Sequence, residues 1–317
     1  MEEHGKTLAG SHKLSTERAA SRLLRRLAEN EEVLFEVHGL LTEAVTGDRR
    51  IAPAGEWLLD NFYLIEEQIR TAKRHLPKGY SRELPRLVNG PSAGLPRVYD
   101  IALETISHGD GRLDVESLGS FVASYQTVTI LNLGELWAIP TMLRLALIEN
   151  LRRVAVTMAA GRIDRNLADH WADRITEIAR TDPKSLIMVI ADMTRADPRL
   201  SSPFVAEFVR RLQGQSSALA LPLTWIEERL SEAGLTIKHL VQSENQQQAA
   251  DQVSISNSIG SLRLLGSTDW RNFVESASAV EKILQGDPAQ AYGRMDFATR
   301  DRYRQAGRRD GRSKRQQ

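Results

Sequence analysis

The sequence predicts an all-α protein, an irregular array of about a dozen helices with one long ordered loop over residues 77–96. Three observations carry this. Apolar residues recur at steps of three and four through most of the chain. Helix-start chemistry, in which Ser, Asp or Asn stands before a proline or three residues before a glutamate, recurs between those stretches. Strand character is confined to Thr127-Val-Thr-Ile-Leu131 and Gln252-Val-Ser-Ile-Ser256, and two short stretches do not make a sheet class.

The 317 residues are enough to bury a core, in one large or two smaller domains. Hydrophobic content of 41% and charged content of 26% are those of an ordinary globular protein. A net charge of +1 exerts no global pull toward nucleic acid or anionic lipid, so nucleic acid is not an expected partner. With no cysteine there are neither disulfides nor thiolate metal sites, which fits a reducing compartment. Met1 to Lys6 lacks the basic and apolar parts of a signal peptide. The longest apolar run, Leu186-Ile-Met-Val-Ile-Ala191, is six residues where a spanning helix needs about 20. The chain is therefore expected to be cytoplasmic.

Residues 1–13 are polar and expected to be disordered. Residues 14–304 form the helical region, with a sub-boundary near 160. Ser15 caps a first helix with Ala20, Leu23, Leu24 and Leu27 on one face and Arg18, Arg22, Arg25 and Arg26 mostly on the other, and a second carries Val33, Val37, Leu41 and Val45 and stops at Gly47. Pro53 opens the next, where the first helical position has no amide partner to lose, and Leu58, Phe62, Ile65 and Ile69 form its stripe. Glu66 and Arg70 are spaced for an ion pair.

Between Pro77 and Pro96 lie four prolines and three glycines, yet Leu84, Leu87 and Val88 give this segment something to bury, so it reads as an ordered loop laid over helices. Arg82, Arg86 and Arg97 offer donors to a phosphate or carboxylate there, although packing of the loop already accounts for them. Ser107 to Arg112 is a turn, and Asp114 caps the next helix.

The densest apolar segment runs from Asn132 to Val154. Leu136, Ile139, Leu143, Leu147, Asn150 and Val154 share a face, and Leu145, Ile148 and Leu151 widen it until the helix must be covered on several sides. Asn132 and Glu135 have capping-box spacing. Pro140 falls inside, and an interior proline costs about 3 kcal/mol, so a kink or break is expected near Ile139. Leu167, Trp171, Ile175 and Ile178 mark a further helix. Asp182-Pro183, Asp197-Pro198 and Ser202-Pro203 read as three helix starts, Gly214, Pro222 and Gly234 punctuate two more helices, and Gln242 to Gln252 is a solvated helix. Asp269 caps a helix with Phe273, Ala277, Val280 and Leu284 that Asp287-Pro288 closes.

Gly134-Glu-Leu-Trp137 with Thr141-Met-Leu-Arg-Leu-Ala-Leu-Ile-Glu-Asn-Leu-Arg-Arg153 resembles the N-terminal region of the bacterial cyclic β-1,2-glucan synthases. Trp57-Leu-Leu-Asp-Asn-Phe-Tyr-Leu-Ile-Glu-Glu-Gln-Ile-Arg70, Leu84-Pro-Arg-Leu-Val-Asn-Gly-Pro91, Ser261-Leu-Arg-Leu-Leu265, Ser267-Thr-Asp-Trp-Arg271 and Met295-Asp-Phe-Ala-Thr-Arg-Asp-Arg-Tyr-Arg304 are arranged in the same family's order. The resemblance covers roughly residues 52–304. It implies very large inner-membrane enzymes that build a glucose ring from UDP-glucose, with membrane helices, a glycosyltransferase module, a cyclisation module and a phosphorylase-like module beyond this region. Against that family the chain reads as an amputated N-terminal piece whose partners are the glycosyltransferase and membrane helices of the same polypeptide.

No catalytic, cofactor-binding or metal-ligating residue stands out. His4, His12, His38, His75, His108, His170 and His239 form no His-Glu-x-x-His pair and no close spacing. Glycine-rich phosphate loops, nucleophile elbows and dinucleotide fingerprints are missing. With 41 acids a glycosidase pair can always be assembled, so none is selected. Trp57, Tyr63, Tyr80, Tyr99, Trp137, Trp225 and Trp270 have rings that stack on sugars, but most sit on apolar helix faces.

The expected function is a non-catalytic helical region of such a synthase, inactive by itself. A free-standing helical interaction module and an α/α-toroid glycoside hydrolase are the alternatives. Residues 305–317, basic and without apolar side chains from Gly307 on, are expected to be a disordered tail. Self-association is expected through Phe297 and Tyr303 at that end.

Overall fold

The computed structural model describes residues 2–15, 22–47, 49–76, 84–215, 217–288 and 290–303. Helix dominates, and the strands among the described residues are two residues each: β1 (Leu14–Ser15) pairs antiparallel with β2 (Arg86–Leu87), Leu14 opposite Leu87. The helices are α1 (Glu2–Ser11), α2 (Leu23–Thr46), α3 (Pro53–Asp60), α4 (Phe62–His75), α5 (Arg97–His108), α6 (Val115–Gln126), α7 (Leu133–Thr181), α8 (Leu186–Ala196), α9 (Ser202–Leu212), α10 (Ala220–Glu232), α11 (Ile237–Ser267), α12 (Trp270–Ala277) and α13 (Ala279–Gln285). None is long and apolar enough to cross a membrane among the described residues.

The chain divides into two compact units. Unit 1 holds residues 1–29, 64–150 and 257–317, and unit 2 holds 30–63 and 151–256. The division falls inside α2, α4, α7 and α11, and in α7 it lies between Asn150 and Leu151, not near 160.

In unit 1 the start of α7 obeys its local chemistry. Asn132 Oδ1 accepts from the Glu135 amide at 3.1 Å and Glu135 Oε2 accepts from the Asn132 amide at 2.9 Å, a reciprocal capping box. Pro140 does not break the helix. Ile139, Met142 and Leu143 around it are buried, and that packing outweighs the one backbone bond a proline removes. Polar groups on the buried face are matched by partners. Arg144 Nε donates to Gln68 Oε1 at 2.8 Å, and Asn150 Nδ2 to Ser258 Oγ at 2.9 Å. Asp114 caps α6 through the Ser117 amide, and Gly109 closes α5 where a Cβ would lie 2.3 Å from the Arg112 carbonyl oxygen.

The first correction concerns residues 1–13, where a helix stands in place of disorder. Helix α1 docks through small residues. A Cβ on Gly5 would come within 3.0 Å of the Phe121 carbonyl oxygen, and Ala9 is buried. Close backbone approach thus replaces the apolar stripe on which a periodicity argument depends. His12 then bonds to the Tyr125 hydroxyl at 2.8 Å and to Asp100 Oδ2 at 3.0 Å. Asn89, from the described part of the loop, accepts from the Lys13 amide and donates to the Ser11 carbonyl.

Further corrections concern where helices begin and end. The helices expected on either side of residue 30 are one, α2, and its buried stripe is Leu34, Val37, Leu41 and Ala44, leaving Val45 exposed. Helix α7 continues for 49 residues, absorbing the stretch around Trp171. Its stripe there is Ala168, Trp171, Ala172 and Ile175, with Leu167 exposed. Residues 252–256 lie inside α11, not in a strand, and 127–131 is a turn and loop. Asp197 ends α8 in the left-handed conformation, φ 42°, instead of beginning a helix. Ser201, not Ser202, caps α9. The stripe from Leu58 to Ile69 is interrupted at Asn61, and that from Phe273 to Leu284 at Ser278. Among the described residues no ion pair joins Glu66 to Arg70. The expectations for Arg18, Ala20, Tyr80, Arg82 and the tail at 305–317 lie outside the described residues. Phe297 packs edge-on to Trp137, centroids 6.3 Å apart, while Tyr303 is exposed.

In unit 2 the core gathers Trp171 and Ile175 from α7, Val189 and Met193 from α8, Phe204, Phe208 and Leu212 from α9, and Ile226 and Leu230 from α10.

Candidate functional site

The helices of unit 2 leave a cleft of about 500 Å³ on their polar side. Each supplies one stripe. Arg162, Arg165 and Asp169 on α7 stand at i, i+3 and i+7. Pro203, Ala206, Glu207, Arg210 and Arg211 do the same on α9, whose opposite face, Phe204, Phe208 and Leu212, is in the core. On α11 the positions are Val241, Glu244, Asn245 and Gln248, and residues 49–53, leading into α3, complete the lining. Gly161 lies next to Pro203: a Cβ there would sit 3.5 Å from the proline ring. These spacings are those of one helix face, so three amphipathic helices that bury their apolar sides present their charged sides together.

Among the described residues, six arginines and three acids line this cleft. Arg165 Nη1 donates to Glu244 Oε1 at 2.8 Å, which also accepts from Gln248 at 2.7 Å. Arg210 Nε donates to Glu207 at 3.0 Å. Arg211 reaches Asp169 at 3.4 Å and pairs with Asp173. Burial, then the charge of Glu207 and a hydrogen bond to it, push the Asp169 carboxyl above its ordinary value. Burial opposes ionisation at Glu207 too, but hydrogen bonding and charge from Arg210, the bond from Asp169 and the charge of Arg211 together hold it below its ordinary value.

Arg162 differs from its neighbours. It is 3% exposed, and Nη1 donates to the Arg50 carbonyl at 2.7 Å, while Nε and Nη2 are sealed from solvent and have no partner among the described residues. Burial, with the charge of Arg165 next, lowers its pKa.

The arginines singled out in the loop have other roles. Arg97 gives Nε and Nη2 to the two oxygens of Glu135 at 2.6 and 2.7 Å, with side chains 4% and 0% exposed, and Nη2 also donates to the Ile130 carbonyl at 2.9 Å. Arg86 is buried in β2. Arg26 binds Glu149 through two bonds of 3.0 and 2.9 Å, and Arg25 binds Glu29 at 2.8 Å. Among the aromatics, Trp57 and Tyr63 are exposed and Tyr99 is buried. Trp270 is half-buried and donates to the Leu265 carbonyl at 3.1 Å.

One cluster escaped a reading of histidine spacing. His4 Nε2 lies 3.0 Å from Glu104 Oε2, and His108 Nε2 lies 3.8 Å from the same oxygen. All three ligand atoms fall within 4.8 Å of one another, close enough to face one divalent ion. Glu104 and His108 are one turn apart on α5, a signal available in the sequence. His4 joins them only because α1 docks.

No protein-family model matches the chain. The chain is similar to the cyclic beta-(1,2)-glucan synthase NdvB of Rhizobium meliloti (strain 1021), 32% identical over 280 residues, which are 88% of this chain and 10% of that protein. It spans about a tenth of the length of the curated relative it matches.

Proposed function

This chain belongs to the cyclic β-(1,2)-glucan synthase family, and we propose that it is a non-catalytic helical region of such a synthase, N-terminal in the larger polypeptide. The observation that carries this reading is one of proportion. Similarity extends over 88% of the chain yet reaches only 10% of the relative, so the likeness is to one segment of a much larger protein. That segment folds here into helical units with buried cores of their own, as a scaffold region requires.

Unit 2 also leaves Ile163, Ile187 and Met188 open to solvent, apolar surface suited to packing on further protein. In this reading that further protein is the glycosyltransferase and membrane-helix part of the same synthase, on the cytoplasmic side of the inner membrane.

The test has two arms. Incubated alone with UDP-glucose, the purified chain makes no β-1,2-glucan. Co-expressed with the remainder of a synthase of this family, it co-purifies with that remainder. Sustained glucan formation by the isolated chain would overturn the reading, as would failure to co-purify.

A further inference from the structure

We propose that His4, Glu104 and His108 of unit 1 form a zinc site, in which the two imidazole Nε2 atoms and one Glu104 carboxylate oxygen are the protein ligands and water completes the shell. This goes beyond the scaffold reading and does not depend on it.

Convergence carries the argument. Both Nε2 atoms approach one oxygen, Glu104 Oε2, at 3.0 Å from His4 and 3.8 Å from His108. The first separation is a hydrogen bond, and the second is too long to be one, so His108 stands beside a carboxylate oxygen that it does not bond. Zinc held at about 2.1 Å in tetrahedral geometry sets neighbouring ligand atoms about 3.4 Å apart. The two measured separations lie on either side of that spacing, and the ligand atoms of all three residues fall within 4.8 Å of one another. The three side chains are partly exposed, so rotation about their own bonds closes the difference without moving backbone.

The helices hold these ligands together. Glu104 and His108 are one turn apart on α5, which puts them on one face. Helix α1 brings the third ligand. Gly5 seats that helix against the Phe121 carbonyl, and the adjoining His4 ring stacks on Phe121 with centroids 5.8 Å apart. The rings of His4 and His108 then meet edge-on at 4.3 Å. Among the described residues Glu104 pairs with no lysine or arginine, which leaves its charge for a metal cation. Two imidazoles and a carboxylate with an open place are a donor set that zinc takes, whereas magnesium and calcium select oxygen ligands. An ion bound there joins α1 to α5 and stabilises the docked helix.

The experiment is calorimetric titration of the full chain, without a histidine tag, with zinc chloride, and with magnesium chloride as a second arm. Zinc is expected to bind saturably at one ion per chain, and magnesium at least about a hundredfold more weakly. Glu104→Gln and His108→Gln are each expected to weaken zinc by about tenfold or more, since each removes one of three ligands. Both side chains are partly exposed, so the fold is kept, and circular dichroism checks it. His239→Gln, on the exposed side of α11 in unit 2, leaves binding unchanged. Zinc is also expected to raise the urea midpoint of the parent and not that of His4→Gln, because only the parent has its ligand from α1. No saturable zinc binding, one ion shared between two chains, or equal binding of magnesium would each overturn the proposal. So would full zinc affinity in either α5 variant, or an equal rise in midpoint for His4→Gln, which would place the ion elsewhere.

Discussion

Replacing either member of the Arg97–Glu135 pair should unfold unit 1 at markedly lower denaturant. Glu135 is wholly buried and Arg97 nearly so, and they meet through two parallel bonds. Burial by itself would lower the Arg97 pKa, but the hydrogen bond and charge of Glu135 more than offset it, so the arginine stays charged. Arg97→Met leaves the carboxylate uncompensated and Glu135→Leu leaves the guanidinium so, each costing about 3–5 kcal/mol. Glu135→Leu also removes the capping contact to the Asn132 amide, a further loss of about 1 kcal/mol. The double variant leaves no buried charge behind. It should lose about 1–3 kcal/mol, chiefly the cap and the bond to the Ile130 carbonyl, far less than the sum of the single changes. Urea unfolding of all four proteins, monitored by far-ultraviolet circular dichroism, gives the cycle. Single losses under about 1 kcal/mol, or a double loss equal to the sum, would refute the assignment of a desolvated, mutually dependent pair.

Groups away from that pair give two more outcomes. His12→Ala strips a partner from both the Tyr125 hydroxyl and Asp100, a loss of about 1–3 kcal/mol, and should free α1, so that trypsin cuts faster at Lys13; unchanged cutting would mean that Gly5 and Ala9 hold the helix unaided. Asp251 is raised above its ordinary value by burial first and by the charge of Glu244, against a hydrogen bond from Gln247. The folded state therefore binds its proton more tightly than the unfolded chain, and stability falls as pH rises from the ordinary carboxylate value through the folded one. Asp251→Asn should be more stable than the parent at pH 7 and no different below about pH 3, measured as urea midpoints at both; a parent more stable at pH 7 would reverse the sign.

Much of the helical chemistry lies within reach of four residues, and that part was legible in the sequence. The Asn132 and Glu135 box, the Asp114 cap, Pro53 at the first position of α3 and the burial of Leu136, Ile139, Leu143 and Leu147 each involve groups one turn apart along the chain. Three matters depended on what lies across from the helix. Neighbouring packing carried α7 past Pro140 and selected Leu34 over Val33 as the buried position on α2, since two candidate stripes one residue apart have the same period. Gly5 docked α1 by lacking a side chain, which no hydrophobic pattern records. The cleft joins residues 49–53, 162–169, 203–211 and 241–248, each an ordinary polar helix face or loop by itself. An acid can neutralise a buried arginine from anywhere in the chain, so only the folded arrangement shows that Arg97 holds Glu135 through two bonds while Arg162 is anchored on a backbone carbonyl.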